Sequence, residues 1–160
     1  MNLFDFTEED FAYQWNPEDD AVMGGKSDSR FRDGDGEAVF EGDVTTKNFG
    51  GFCYVHGPDT ETDLKGFEKF EIETRSSGTA FRLLVYTSDR DKSYRSPLIR
   101  PAEENEKKTV SFGDLYPYVW GWKNPFATGF KPENFEAIGF QTEYKSSGEF
   151  EIGIKKVDVK

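Results

Sequence analysis

The sequence predicts an all-β fold, an antiparallel β-sandwich, on three observations. From residue 30 onward the chain runs in short stretches that alternate apolar and polar residues and end at clusters of Gly, Pro, Asn, Asp or Ser, the pattern of strands with one buried face. No stretch sustains the 3.6-residue apolar period of a helix, and only Thr7 to Tyr13 and Pro132 to Phe135 read as single helical turns. The chain also holds 16 Phe, 7 Tyr and 3 Trp, so a core can be built from few large side chains although only 35% of residues are hydrophobic. At 160 residues it reads as one domain over residues 1–160, long enough to bury about two-thirds of its unfolded surface.

In chain order, Phe31 closes a first strand and Asp33-Gly34-Asp35-Gly36 turns it. Ala38 to Thr45 alternates with Phe40, Gly42 and Val44 on one side. Phe49 to Val55 follows, its Gly50-Gly51 pair marking a bulge or a close backbone approach, and His56-Gly57-Pro58-Asp59 ends it. Phe67 to Arg75 sets Phe70, Ile72 and Thr74 against Glu71 and Glu73. Thr79 to Ser88 contains the most apolar run, Phe81 to Tyr86, and belongs at the centre of a sheet. Ser93 to Ile99 is broken by Pro97, which predicts an edge strand. After a charged stretch from Glu103 to Lys108, Thr109 to Phe112 forms a short strand. Phe135 to Tyr144 and Glu149 to Val159 read as a hairpin across Ser146-Ser147-Gly148, with a bulge near Lys155-Lys156 where the alternation changes phase.

The stretch Trp15 to Ser29 is too polar and Gly-broken for a helix, yet carries Trp15, Val22 and Met23, which favour burial. Gly24 and Gly25 allow positive φ or close approach of another backbone, and Asp19, Asp20, Ser27 and Ser29 are short acceptors that tie nearby N–H groups. It therefore reads as an irregular loop held in one shape.

The pattern Trp15-x3-Asp19-Asp20-x-Val22-Met23-Gly24-Gly25-x-Ser27-x-Ser29 resembles the opening signature of the complex I intermediate-associated protein family, thirty-kilodalton type. A second block agrees, with Phe40-x-Gly42-x-Val44 and then Asn48-Phe49-Gly50-Gly51-Phe52-Cys53-Tyr54-Val55. So does the C-terminal part, Ile138-Gly139-Phe140 and Gly148-x-Phe150-x-Ile152-x-Ile154. The resemblance covers nearly the whole chain and implies a galactose-binding-like jelly roll, no catalysis, and a role in assembling respiratory complex I. Two positions depart from the family pattern: His56 stands where it usually has Arg, and Asp19 where it usually has Asn.

Net charge is −11, from 31 acidic and 20 basic residues, a field that repels nucleic acid and anionic membrane surfaces. The single cysteine, Cys53, excludes an internal disulfide and reads as a small buried hydrophobe. No apolar run approaches membrane-spanning length. The N-terminus lacks a secretory pattern, and Glu8, Glu9 and Asp10 oppose a mitochondrial presequence, so the expectation is a cytoplasmic, bacterial protein.

Catalytic chemistry finds little footing. The one histidine, His56, has no recognisable nucleophile motif beside it, and one His with one Cys falls short of a zinc set. Asp33 to Glu37 superficially resembles a calcium loop, but Ala38 and Val44 occupy the positions that need Gly and Glu. Asp19, Asp20 and Asp28 would bind a cation only if the loop folded back. No Gly-x-Gly-x-x-Gly is present, and neither cofactor nor metal is expected. One stretch, Tyr116 to Phe126, crowds Tyr116, Tyr118, Trp120 and Trp122 among Pro and Gly and reads as a loop. Such rings anchor a protein partner or stack on sugar, or they fold inward over one mouth of the sandwich. The reading is a monomeric, non-catalytic protein-interaction module. By resemblance its partners are respiratory-complex subunits, and the alternative is a carbohydrate-binding module.

Overall fold

The computed structural model describes residues 1–8, 14–19, 27–45, 51–88, 93–119, 122–143 and 148–160. Thirteen strands lie among them: β1 (Asn2–Asp5), β2 (Asn16–Asp19), β3 (Asp28–Asp33), β4 (Ala38–Val44), β5 (Cys53–His56), β6 (Lys69–Ser76), β7 (Phe81–Thr87), β8 (Ser93–Arg95), β9 (Glu106–Ser111), β10 (Tyr116–Val119), β11 (Trp122–Lys123), β12 (Phe135–Thr142) and β13 (Gly148–Val159). They form two antiparallel sheets, one ordered β3-β4-β13-β6-β9 with β1 also on β13, the other β11-β10-β8-β7-β12-β5-β2. This is the predicted all-β sandwich.

The long strand β13 organises the first sheet. Its first half pairs β4 from Gly148↔Val44 to Ile154↔Ala38, and its second half pairs β1 on the same side, with Phe6 N donating to Lys155 O at 2.8 Å. On its other side it pairs β6, and the register shifts between Ile154 and Lys156, at the bulge the sequence predicts. β7 is the middle strand of the second sheet, as its apolar run requires.

Period-2 alternation puts Phe40, Phe70, Ile72, Phe81, Leu83, Val85, Phe140, Ile152 and Ile154 between the sheets, all fully buried. Trp15 joins the two layers. It stacks on Phe31 of the first sheet at 4.9 Å between ring centroids and on Phe140 of the second at 5.8 Å, and meets Phe6 edge-on at 5.3 Å. Gly57 makes the room, since a Cβ there would lie 2.7 Å from the indole Cη2.

The sequence reading needs correcting at several elements. The phase of β12 and β13 reads as a hairpin, but β12 pairs β5 and β7 while β13 pairs β4, β6 and β1, so the two strands belong to different sheets. The strand holding Ser93 stops at Arg95, before Pro97, and is not an edge, because β10 covers its outer side. The charged residues Glu106 to Lys108 begin β9 rather than precede it, as an edge strand exposing one face allows. β1 and β2 lie where no strand is expected, and β2 takes up part of the stretch read as irregular loop.

Candidate functional site

Alternation along each strand also defines what the second sheet turns outward. In β7, Arg82, Leu84 and Tyr86 face away from the core. Register then aligns neighbours with them. Arg82 faces Gln141, which pairs Tyr54; Leu84 faces Gly139 and Arg95; Tyr86 faces Ser93, which pairs Tyr118. Arg95 in turn pairs Tyr116, and Gly139 pairs His56. The outer face is therefore a field of phenols carrying cations.

Its geometry is tied together. Arg82 Nη1 donates to Tyr116 Oη at 3.0 Å and to Ser96 O at 2.8 Å. The Arg95 guanidinium lies over two rings, 5.3 Å from the centroid of Tyr116 and 5.1 Å from that of Tyr118. Lys123 Nζ stands 5.0 Å from the Tyr116 centroid. Burial pushes the Tyr118 phenol above the usual tyrosine range, against the opposing pull of Arg95 and a hydrogen bond with Tyr86. The His56 and Tyr86 rings are 4.3 Å apart. His56 Nδ1 lies 2.6 Å from Gly57 O, an acceptor only, so Nδ1 carries the proton. Gly139 keeps the floor low, because a Cβ there would run into Val55 O and lie 3.4 Å from Tyr86 Cε2.

The sequence-predicted residues divide. Tyr116 and Tyr118 belong to this face, but on strand β10 instead of a loop. Pro117 survives there because its carbonyl accepts from Asn124 N at 3.0 Å; the N–H it lacks would point the same way, so no bond to β8 is lost. Trp122 pairs Val119 in β11. Trp120 lies outside the described residues. Phe126, 96% exposed, follows β11.

Most of the signature residues that are described pack or hydrogen-bond within the sandwich. Trp15 is core. Ser27 Oγ accepts from Thr45 N at 3.0 Å and donates to Thr45 O at 3.3 Å, the short-acceptor role expected of it. Ser29 is buried opposite Gly42, where a Cβ would meet Asp28 O and lie 2.7 Å from Ser29 Cα. Phe40 and Phe52 are buried, and Gly51 has φ 138°, a conformation that favours glycine. Asp19 pairs Cys53 in register. Asp20, Met23, Gly24, Gly25, Asn48 and Gly50 lie outside the described residues.

Arg82, Arg95, Tyr54, Tyr86, His56, Gln141 and Lys123 were not singled out from sequence as one site. The signal was the period-2 split of β7, which names Arg82 and Tyr86 as outward but not their neighbours. Cys53 and His56 sit three apart on β5 and so face opposite ways, Cys53 inward with Sγ 3.8 Å from Asp28 O. They do not form a nucleophile–base pair. Among the described residues no group of three or more His, Cys, Asp or Glu is placed to hold a metal, and no helix is long and apolar enough to cross a membrane.

Solved structures share the fold. A family 11 carbohydrate-binding module of a cellulosomal cellulase of Clostridium thermocellum superposes with a TM-score of 0.70 at 14% identity, over 98% of this chain and 92% of that one. The family 11 module from that organism in complex with a β-1,3-1,4-mixed-linked tetrasaccharide gives 0.70 at 14%, over 99% and 94%. A family 29 carbohydrate-binding module gives 0.54 at 11%, over 99% and 83%. No curated protein matches the chain in sequence. The profile of one family, described as complex I intermediate-associated protein 30, matches residues 4–154, so that nearly every element described above falls within it, and the chain belongs to the CIA30 family.

Proposed function

We propose that this chain is a non-catalytic protein-binding module that acts as an assembly factor for respiratory complex I and engages its partner through the outer face of the second sheet. The observation that carries the reading is the cluster of Tyr54, Tyr86, Tyr116 and Tyr118 with Arg82 and Arg95 on one sheet face. Tyr and Arg dominate binding hot spots, because they bury much surface with few rotors and offer both apolar and hydrogen-bonding contact. Membership of the CIA30 family supports a respiratory-complex partner.

A second reading is a carbohydrate-binding module. Phenol rings on one sheet face suit stacking on a sugar's apolar C–H face, and a fold neighbour is solved with a tetrasaccharide. The two readings separate in one experiment. Protein recovered untagged from its native host is analysed by mass spectrometry, beside a Tyr116→Ala, Tyr118→Ala variant, and both are titrated with mixed-linkage glucan. Enrichment of respiratory-complex subunits that the variant loses supports the first reading. Saturable glucan binding that the variant loses, with no subunit enrichment, replaces it with the second.

A further inference from the structure

The two outer faces of the sandwich treat their cations differently. On the first sheet each arginine has a carboxylate: Arg30 and Arg32 meet Glu41, and Arg75 lies between Glu37 and Glu151. The cleft on that face is lined by Asp28, Glu41, Asp43, Glu149 and Glu151 against Arg30 alone. On the second sheet, Arg82 and Lys123 have no carboxylate within ion-pair distance among the described residues. In a chain with 31 acidic residues against 20 basic ones, unpaired cations gathered on one face run against the composition.

Arg82 narrows the ligand further. Its hydrogen bonds, to Ser96 O and Tyr116 Oη, both come from Nη1. Among the described residues Nε and Nη2 donate to nothing, and these two N–H groups form the side edge of the guanidinium that grips a carboxylate with two parallel bonds. Lys123 is exposed, its ammonium held over the same Tyr116 ring that Arg82 touches at the hydroxyl. Two cations touching one ring match carboxylates at alternate residues of an extended segment, which project from one side about 7 Å apart.

Resting on the reading of this face as a protein-binding surface, we infer that it recognises a short acidic segment of its partner, extended and carrying carboxylates at alternate positions, through Arg82 and Lys123 on either side of Tyr116. A short segment is favoured over a long polyanion by the protein's own charge. The outer faces lie on opposite sides of a core whose sheets are about 10 Å apart, so the solvent path between their charged heads is longer than the roughly 8 Å over which salt screens charge, and a ligand confined to one face is largely shielded from the other. A nucleic acid or polyuronate running past the edge of the face would meet the net −11 of the whole molecule.

The test uses fluorescein-labelled octaglutamate as the probe, read by anisotropy against the intact protein, with octalysine, a neutral Gly-Ser octapeptide, a single-stranded oligonucleotide and polygalacturonate beside it. Octaglutamate should bind, and more weakly as salt rises. Lys123→Gln should weaken it about threefold, the scale of one exposed charge pair. Arg82→Gln should weaken it about tenfold, the scale of a charge-assisted bidentate contact. Lys107→Gln removes the same charge from the exposed edge of the first sheet and should leave binding unchanged. Because Arg82 also ties Ser96 and Tyr116, its variant is checked for native far-ultraviolet dichroism, and Lys123→Gln decides if that check fails.

The inference is overturned if octaglutamate does not bind, if octalysine or the neutral peptide binds as well, if the oligonucleotide or polygalacturonate binds more tightly, or if Lys107→Gln weakens binding as much as Lys123→Gln. Capture from the host separates it from the reading it rests on. Octaglutamate bound at this face without recovery of respiratory-complex subunits leaves the acidic-segment site standing and removes the assembly role. Subunits recovered equally by wild type and Lys123→Gln leave the assembly role standing and remove the site.

Discussion

Gly153 lies directly beneath the ion pair of Arg75 and Glu37: a Cβ at this glycine would stand 2.8 Å from Arg75 Nε and run into Glu37 Oε2. The pair is close, with Arg75 Nη2 donating to Glu37 Oε1 at 2.6 Å, and both side chains are largely covered. Gly153 sits mid-strand between Val39 and Arg75, where glycine is otherwise a poor strand former. The missing side chain thus lets the guanidinium and carboxylate lie flat on the sheet. Gly153→Ala should destabilise the fold by about 1–3 kcal/mol, through the forced shift of a half-buried pair. The measurement is the urea midpoint at constant m, and an unchanged midpoint would show that the pair relocates freely.

Trp15 contacts rings from both sheets, and Gly57 is shaped to admit it. Trp15→Ala removes that bridge and should cost about 3–5 kcal/mol in chemical denaturation. Trp15→Phe should recover part of this. A loss under 1 kcal/mol for the alanine variant would mean that the cluster collapses onto the space, against the fixed packing described here.

The acid limb of stability should carry the Arg32–Glu41 pair. Arg32 Nε donates to Glu41 Oε1 at 2.6 Å, and that bond, followed by the charges of Arg32 and Arg30, holds the Glu41 carboxyl below its ordinary 4.5. A depressed folded value contributes stability that is fully present above the unfolded value and is lost as pH falls through the folded one. Arg32→Gln should therefore lower the melting temperature more near neutral pH than in acid strong enough to protonate the Glu41 carboxyl. A difference independent of pH would rule the pair out as a source of acid sensitivity.

Cys53 is fully buried on the inner side of β5, where its backbone N–H donates to Thr142 Oγ1 at 2.9 Å and Thr142 Oγ1 donates back to Cys53 O at 3.3 Å. A thiol reagent should reach it only through opening of the sandwich, so its modification should be slow in buffer and accelerate with urea alongside unfolding. Rapid labelling of the native protein would show that the sheets part locally at β5.

Much of this architecture was legible in the residues because strand alternation has period 2. Phe70, Ile72 and Thr74 against Glu71 and Glu73 predict which way β6 faces, and the phase change near Lys155 predicts the bulge in β13. The signature pattern pointed to the family through Trp15, Gly42 and Ser27, whose packing and hydrogen bonds are local requirements of the fold.

Pairing partners were a different matter. β12 and β13 are separated by residues 143–147, a connection as suited to crossing the roughly 10 Å between sheets as to turning a hairpin. Alternation is the same in both cases, and only competition among long-range partners decided that β13 joins β4 and β6. The outward face of the second sheet has the same origin. Alternation along β7 shows from the residues alone that Arg82 and Tyr86 point one way; Arg95, Tyr116, Tyr118, Gln141, Tyr54 and His56 point with them only because sheet order and register, set by the packing of the buried faces, bring together residues from four other strands.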